Sequence, residues 1–326
     1  MNNFIDLLKR AGSLWWRVKL LWPLGMLAAL VGYGDSAISG NFNSAQNLRS
    51  DTGSGGMPLW LTELAASPLV RNVMHNPWPY LLGLLALLVG WALLAAMVGA
   101  LAHGALIRVA DVADQGYTAN LSDGLRVGAA RALPLFLLNL ILALPVIIIM
   151  SLVLGGFALI FVRSVTSFSA FDGATPSGPL IASLFGAIFC LIGVFLLLAL
   201  LAALLGLWAR VAQRACVVEG LGPVASLGRG WHLMRRNLGL TLLTWLFQAL
   251  LGGVIGFVLA LPALALSFPL IFAVSEGRAN VVGLFIALIG YAFVASVVGG
   301  GILTAFNATL WTVIYRAFCA RETSGE

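Results

Sequence analysis

Five apolar runs decide what this chain can fold into: Tyr80–Ile107, Leu133–Val162, Leu180–Ala209, Leu238–Val274 and Val281–Ile314. Each is longer than the ~20 residues a helix needs to cross the hydrocarbon layer of a bilayer. They are too long for the buried helices of a globular domain, and they lack the period-two alternation of membrane-barrel strands. Charged residues supply 9% of the chain and apolar residues 61%, against about 25% and 45–50% in ordinary soluble domains. A soluble fold of 326 residues has no interior large enough to hide that surface. The expected class is an all-α integral membrane protein with interfacial amphipathic helices.

A sixth, shorter run, Leu20–Tyr33, follows Lys9, Arg10, Arg17 and Lys19. Basic residues before a short apolar core also describe a secretory signal, but the long basic region and Trp15-Trp16 favour an uncleaved first span with Lys19 snorkelling to the interface. With the N-terminus inside, fourteen of the eighteen Lys and Arg fall on cytoplasmic segments, and only Arg49, Arg71, Arg163 and Arg278 lie outside. That asymmetry is the positive-inside pattern, so both termini are expected in the cytoplasm. Sixteen of those eighteen are arginine, a bias that points to a GC-rich bacterial genome and hence to a bacterial cytoplasmic membrane.

Three of the runs end alike. Ala105-Leu106-Ile107-Arg108-Val109-Ala110, Leu207-Trp208-Ala209-Arg210-Val211-Ala212 and Val313-Ile314-Tyr315-Arg316-Ala317-Phe318 each leave the membrane at one arginine. Earlier in the same helices stand the pairs Gly83/Gly90, Gly186/Gly193 and Gly283/Gly290. Seven-residue spacing places each pair on one helix face, where a neighbouring backbone is expected to approach closely. After Arg108 and Arg210 the sequence continues into a helical stretch, a turn and a short second helix, with Pro223 at a first helical position and Val224, Leu227 and Trp231 as an apolar face. Similar units about a hundred residues apart indicate duplication. The expected organisation is an amphipathic helix at 1–19 on the inner leaflet, a first span at 20–34, and an outer loop with an amphipathic segment at 35–77. A hairpin at 78–177, a second hairpin at 178–280 and a half repeat at 281–326 complete it.

Arg108–Leu140 and Arg210–Leu243 carry a further pattern. In the second copy Ala215-Cys216-Val217-Val218-Glu219-Gly220-Leu221-Gly222-Pro223 is followed by Gly230-Trp231-His232-Leu233-Met234-Arg235-Arg236-Asn237. These segments, with Trp15-Trp16 to Gly32 and the Gly/Asn/Ser-rich loop after it, resemble bacterial multi-pass proteins related to the membrane domain found with glycerophosphoryl diester phosphodiesterases. The resemblance implies topology and no activity, because the phosphodiesterase barrel has no counterpart in this sequence.

The residues give little scope for catalysis. A phosphodiester hydrolase needs carboxylates and histidines to hold a metal and move protons, yet Asp111, Asp114 and Asp123 form the one local acidic cluster and no histidine accompanies them. Three aspartates beside Arg108 read as a salt-bridged, solvated face. His75, His103 and His232 are scattered, and Cys190, Cys216 and Cys319 have no metal or disulfide spacing. No phosphate-binding Gly-Lys-Ser/Thr loop, dinucleotide fingerprint or nucleophile elbow occurs. Within the spans Asn139, Gln248 and Asn307 are the strongest polar groups, expected to serve as helix–helix hydrogen bonds. No catalytic residue, metal ligand or cofactor is therefore assigned, and nucleic acid is excluded as a partner because the arginines flank spans instead of forming a basic domain.

The reading is a non-enzymatic membrane protein that scaffolds or organises a protein partner, a second copy of itself, or lipid. Arg126, Arg131, Arg229, Arg235 and Arg236 are its candidate surface for anionic headgroups or a partner. The alternative is a transporter of a lipid-like or apolar small molecule, and a lipid-processing enzyme comes third.

Overall fold

The computed structural model describes residues 4–31, 77–168, 178–275 and 281–324, and every regular element among them is helical. In chain order these are α1 (Phe4–Arg17), α2 (Leu21–Leu30), α3 (Pro77–Asp114), α4 (Leu121–Phe168), α5 (Gly178–Val218), α6 (Pro223–Arg236), α7 (Leu238–Ser275), α8 (Val281–Val294) and α9 (Gly300–Ser324). A π-helical turn, Ala295–Gly299, joins α8 to α9. Among the described residues five stretches are long and apolar enough to cross a membrane: Trp78–Asp114, Leu121–Leu159, Phe189–Val218, Leu238–Pro269 and Gly283–Ser324. The described part of the first run, α2, has ten residues, a length of about 15 Å at 1.5 Å per residue. The expected outer loop and its amphipathic segment, residues 35–76, lie outside the described residues.

Packing is concentrated at one end of the bundle, where α1, the α3–α4 and α5–α6 turns and the end of α9 gather. Leu106, Ile107, Val109 and Ala110 of α3, Leu207–Val217 of α5 and Leu303–Ile314 of α9 contribute most of the buried side chains. These three helices, the ones that end in an exit arginine, touch one another pairwise. Towards the other end the helices are exposed: Leu87 and Trp91 of α3, Leu152 of α4, Phe189 of α5 and Phe268 of α7 all present their side chains outward. Lipid is as apolar as leucine, so such a surface loses nothing by staying uncovered in a bilayer.

Glycine sets how close the helices come at the packed end. A Cβ on Gly128 of α4 would stand 2.6 Å from the Leu101 carbonyl and 2.8 Å from the Ala105 nitrogen of α3. One on Gly301 of α9 would stand 2.6 Å from the Met26 Cα of α2, and Gly25 of α2 meets the Gly301 carbonyl. Gly230 of α6 lies against the Ala212 backbone of α5 in the same way. At Gly83, Gly90, Gly186, Gly193, Gly283 and Gly290 a Cβ meets nothing within 4 Å among the described residues, and all six lie in the exposed part of their helices.

Local sequence explains two further departures. The first hairpin was expected to hold a short helix before its returning span, but α4 runs unbroken for 48 residues. In the second hairpin α6 stops at Asn237, whose φ of −123° and ψ of 37° leave the helix; the position equally far from the exit arginine in the first hairpin is Leu135, a buried helix-former. On α6 the buried residues are Ser226, Leu227, Gly230, Leu233 and Met234, while Val224 and Trp231 are exposed, so its apolar face is only partly the expected one. The two hairpin turns are alike. α4 begins thirteen residues after Arg108 and α6 thirteen after Arg210, and each turn contains a glycine in the left-handed region, Gly116 at φ 84° and Gly220 at φ 73°, which a side chain would strain.

α1 is amphipathic, and its apolar stripe is turned to the bundle. Leu7 and Ala11 are buried among Val211, Leu310, Trp311 and Ile314, Phe4 meets Phe247 edge to face at 6.0 Å, and Trp15 stacks on Trp22 at 5.5 Å. Ile5 and Trp16 remain exposed.

Candidate functional site

The exit arginines are drawn into a layer of polar side chains across the packed end. Arg316 approaches Asp111 Oδ1 through Nη2 at 2.6 Å and donates from Nε at 2.7 Å. Arg108 reaches the other oxygen of Asp111 at 3.6 Å, and Gln115 Nε2 donates to it at 3.1 Å. Asp111 is 1% exposed, so the first and third copies of the exit motif close on one buried carboxylate. One turn further along α3, Asp114 takes Arg10 of α1 at 2.7 Å, and the Asp114 carbonyl accepts a second bond from Arg10 at 3.0 Å. The acidic cluster is salt-bridged as expected. It is not the solvated face expected, since helix ends and α1 cover Asp111 and the Asp114 carboxylate.

The second exit arginine is used differently. Arg210 donates to the Gln248 amide oxygen of α7 and lies 5.7 Å from the centre of the Trp311 ring. Trp311 Nε1 donates to the same oxygen at 2.9 Å. Beside it Gln213 joins three helices, donating to Asn139 Oδ1 at 2.8 Å and facing His103 Nε2 at 3.2 Å. Arg214, with no exposed surface, donates to the Arg210 carbonyl at 2.8 Å. Asn139 and Gln248 therefore act as interhelical hydrogen-bond partners. Asn307 does not: it has no exposed surface, and neither of its amide atoms, nor the Thr304 hydroxyl one turn away, has a hydrogen-bond partner.

A third cluster ties the end of α9 to the second hairpin. Arg229 of α6 pairs with Glu219 at 3.2 Å and with Glu322 at 2.6 Å, Tyr315 donates to Glu219, and His232 stands 3.6 Å from Glu322. The Glu322 hydrogen bond, helped by the charge of Glu219, holds the Arg229 guanidinium above its usual range against the opposing effect of burial, so it stays charged at any working pH.

The five candidate surface arginines thus divide. Arg229 is committed to Glu219 and Glu322, and Arg131 is half-buried with its guanidinium over Gly220. Arg126 is 83% exposed beside Asp123 at 3.1 Å. Arg235 and Arg236 are exposed at the end of α6, Arg235 lying 5.8 Å from the Trp231 ring. Sequence reasoning missed Arg10, Gln213, Arg214, Glu219, Trp311 and Glu322. A signal existed for Gln213, which stands three residues after Arg210 as Asp111 stands three after Arg108, on the same helix face. Among the described residues no three His, Cys, Asp or Glu side chains gather where they could hold a metal ion.

Residues 59–318 match the model of a family described as a domain of unknown function, DUF7847. No curated protein and no solved structure matches the chain.

Proposed function

We propose that this chain, which belongs to the DUF7847 family, is a non-enzymatic protein of the bacterial cytoplasmic membrane that organises lipid or a protein partner at its cytoplasmic end. The observation that carries this reading is the division among the arginines. The exit arginines Arg108 and Arg316 are spent on the buried Asp111, which makes the packed end a rigid platform. Arg126, Arg235 and Arg236 stay exposed, with Arg235 beside the exposed Trp231 ring. An exposed aromatic beside arginine suits headgroup depth, and each such cation contributes about 1 kcal/mol near an anionic surface.

In this reading α2 and the residues after it make the first of six spans, and both termini lie inside. The equal offsets from Arg108 to α4 and from Arg210 to α6 support two and a half repeated hairpins. The resemblance to the membrane domain found with glycerophosphoryl diester phosphodiesterases belongs to the same proposal and brings no hydrolysis with it. A second reading, transport of a lipid-like molecule with a polar head, draws on the buried, unpartnered amide of Asn307 and hydroxyl of Thr304, which a guest inside the bundle would satisfy.

The test is the double variant R235E/R236E, purified in mild detergent beside the wild type. Native mass spectrometry is expected to show fewer co-purifying anionic lipids or a lost protein partner, at an unchanged Tm. Undiminished retention in the folded variant overturns the surface assignment. For the second reading, a cysteine at position 307 that reacts with a membrane-impermeant thiol reagent would displace the scaffold reading.

A further inference from the structure

Between α1 and α9 lies a cavity of about 450 Å³, open to the surface and within the volume range of small-molecule sites. Arg10 and Asp114 form one side, Arg316 and Thr323 another, and Leu7 and Ala320 contribute to an apolar wall. We propose that this cavity binds a phosphate-bearing anion, with an inner-leaflet phospholipid headgroup or a soluble phosphate ester as the two sources of that chemistry. The cavity goes beyond the surface reading above, because it uses none of Arg126, Arg235 or Arg236.

Three observations converge. First, the two guanidiniums are fixed. Arg10 is held by Asp114 through Nε and Nη2, and Arg316 by Asp111 through the same two nitrogens. The two aspartates stand one turn apart on α3, so their arginines are neighbours. A guanidinium carries five N–H donors in a planar fork, so each keeps donors beyond those its carboxylate takes, already oriented when an anion arrives. Planar, pre-positioned donors of this kind suit phosphate better than the point charge of lysine.

Second, the charge balance admits an anion. At this place Asp114 and Asp111 face Arg10 and Arg316, so the paired charges cancel and no net negative charge repels an anion. Third, Leu7 and Ala320, with Val313 and Ala317, supply apolar surface beside the charged rim, as an ester with an acyl or glyceryl body requires. Arg316 also marks where α9 leaves its apolar run, so the cavity sits at the depth where headgroups and the amphipathic α1 meet. An anion in it would touch α1, α3 and α9 together and fasten α1 to the bundle.

The test fills the cavity without touching an ion pair. Ala320 and Thr323 are exposed on α9, so A320W and T323W place an indole in the space and leave Arg10 and Arg316 on their carboxylates. The probes are phosphatidylglycerol, phosphatidylcholine and inorganic phosphate, each added to the full chain in detergent, with bound mass and Tm as readouts. For a lipid source, one phosphatidylglycerol per chain is retained by the wild type and at least tenfold less by both variants, with phosphatidylcholine retained by neither. For a soluble source, inorganic phosphate raises the wild-type Tm, and both variants lose that shift. Equal binding by wild type and variants, or no binding of any probe by the wild type, overturns the proposal. R235E/R236E is expected to keep this bound phosphate, so failure of the surface reading and failure of the cavity are told apart.

Discussion

The two ends of the helices are built on different rules. At the packed end the backbones approach so closely at Gly128, Gly230 and Gly301 that a single Cβ would collide, and Asp111, Gln213 and Gln248 bond across helices in the space left. At the other end the helices carry Leu87, Trp91 and Leu152 outward, and a Cβ at Gly83, Gly90, Gly186 or Gly193 meets nothing among the described residues. Against lipid, apolar surface gains nothing from burial, so association there rests on close packing and polar contacts. The end that has both is the end that holds together. A run of leucine makes a span; it takes glycine, a carboxylate and an arginine to make a bundle.

Removing the centre of the packed end should break that contrast most severely. In D111A the guanidinium of Arg316 loses its carboxylate, and Arg108 loses one of its two partners. Charge-assisted hydrogen bonds are worth about 1.5–3 kcal/mol each, and the loss here is partly offset because the Arg316 side chain is 38% exposed and can turn to water. A large fall in Tm, measured in detergent by tryptophan fluorescence, is expected. A fall no larger than that of R126A, whose exposed pair with Asp123 is worth about 0–1 kcal/mol, would mean that the ion cluster does not hold the helices.

Steric closeness comes next. G128A puts a methyl group 2.6 Å from the Leu101 carbonyl, and a backbone atom cannot yield as the end of a side chain can. Overpacking of this kind costs about 1–3 kcal/mol, which would separate α3 from α4 along their tightest contact. Thermal unfolding with no loss in G128A would show that the α3–α4 contact is looser than its geometry.

How much of this could be read from sequence follows the same division. Apolar length alone specified the spans, because a bilayer selects for little else along Leu133–Val162 or Leu238–Val274. The exit arginines were visible as a repeated boundary, but not their partners: Arg316 meets Asp111 across 205 positions of sequence, and no local pattern encodes that meeting. Asn139 and Gln248 were recognisable because a polar side chain in an apolar run needs a partner wherever the helix packs. Arg229 looked like a surface cation because Glu322 lies 93 residues away. The glycine pairs carry a different limit. Seven-residue spacing fixes a face of the helix, and the level along the bundle at which neighbours arrive is set by contacts elsewhere.

Substitution at those pairs is the mildest change and sharpens the comparison at its weakest point. In a protomer whose Gly90, Gly193 and Gly290 face open space, alanine adds no clash and removes the conformational freedom that makes glycine unfavourable within a helix by roughly 0.5–1 kcal/mol. G90A, G193A and G290A should therefore unfold at the wild-type temperature or slightly above it, the reverse in sign of G128A. Mass in detergent, followed in the same samples, separates two ways this could fail. A lowered Tm at constant mass would mean that the exposed ends close on one another within the chain. A lowered Tm with conversion of a larger species to monomer would move the glycine faces into an interface between copies. They would then be packing positions after all, with the neighbour supplied by a second chain.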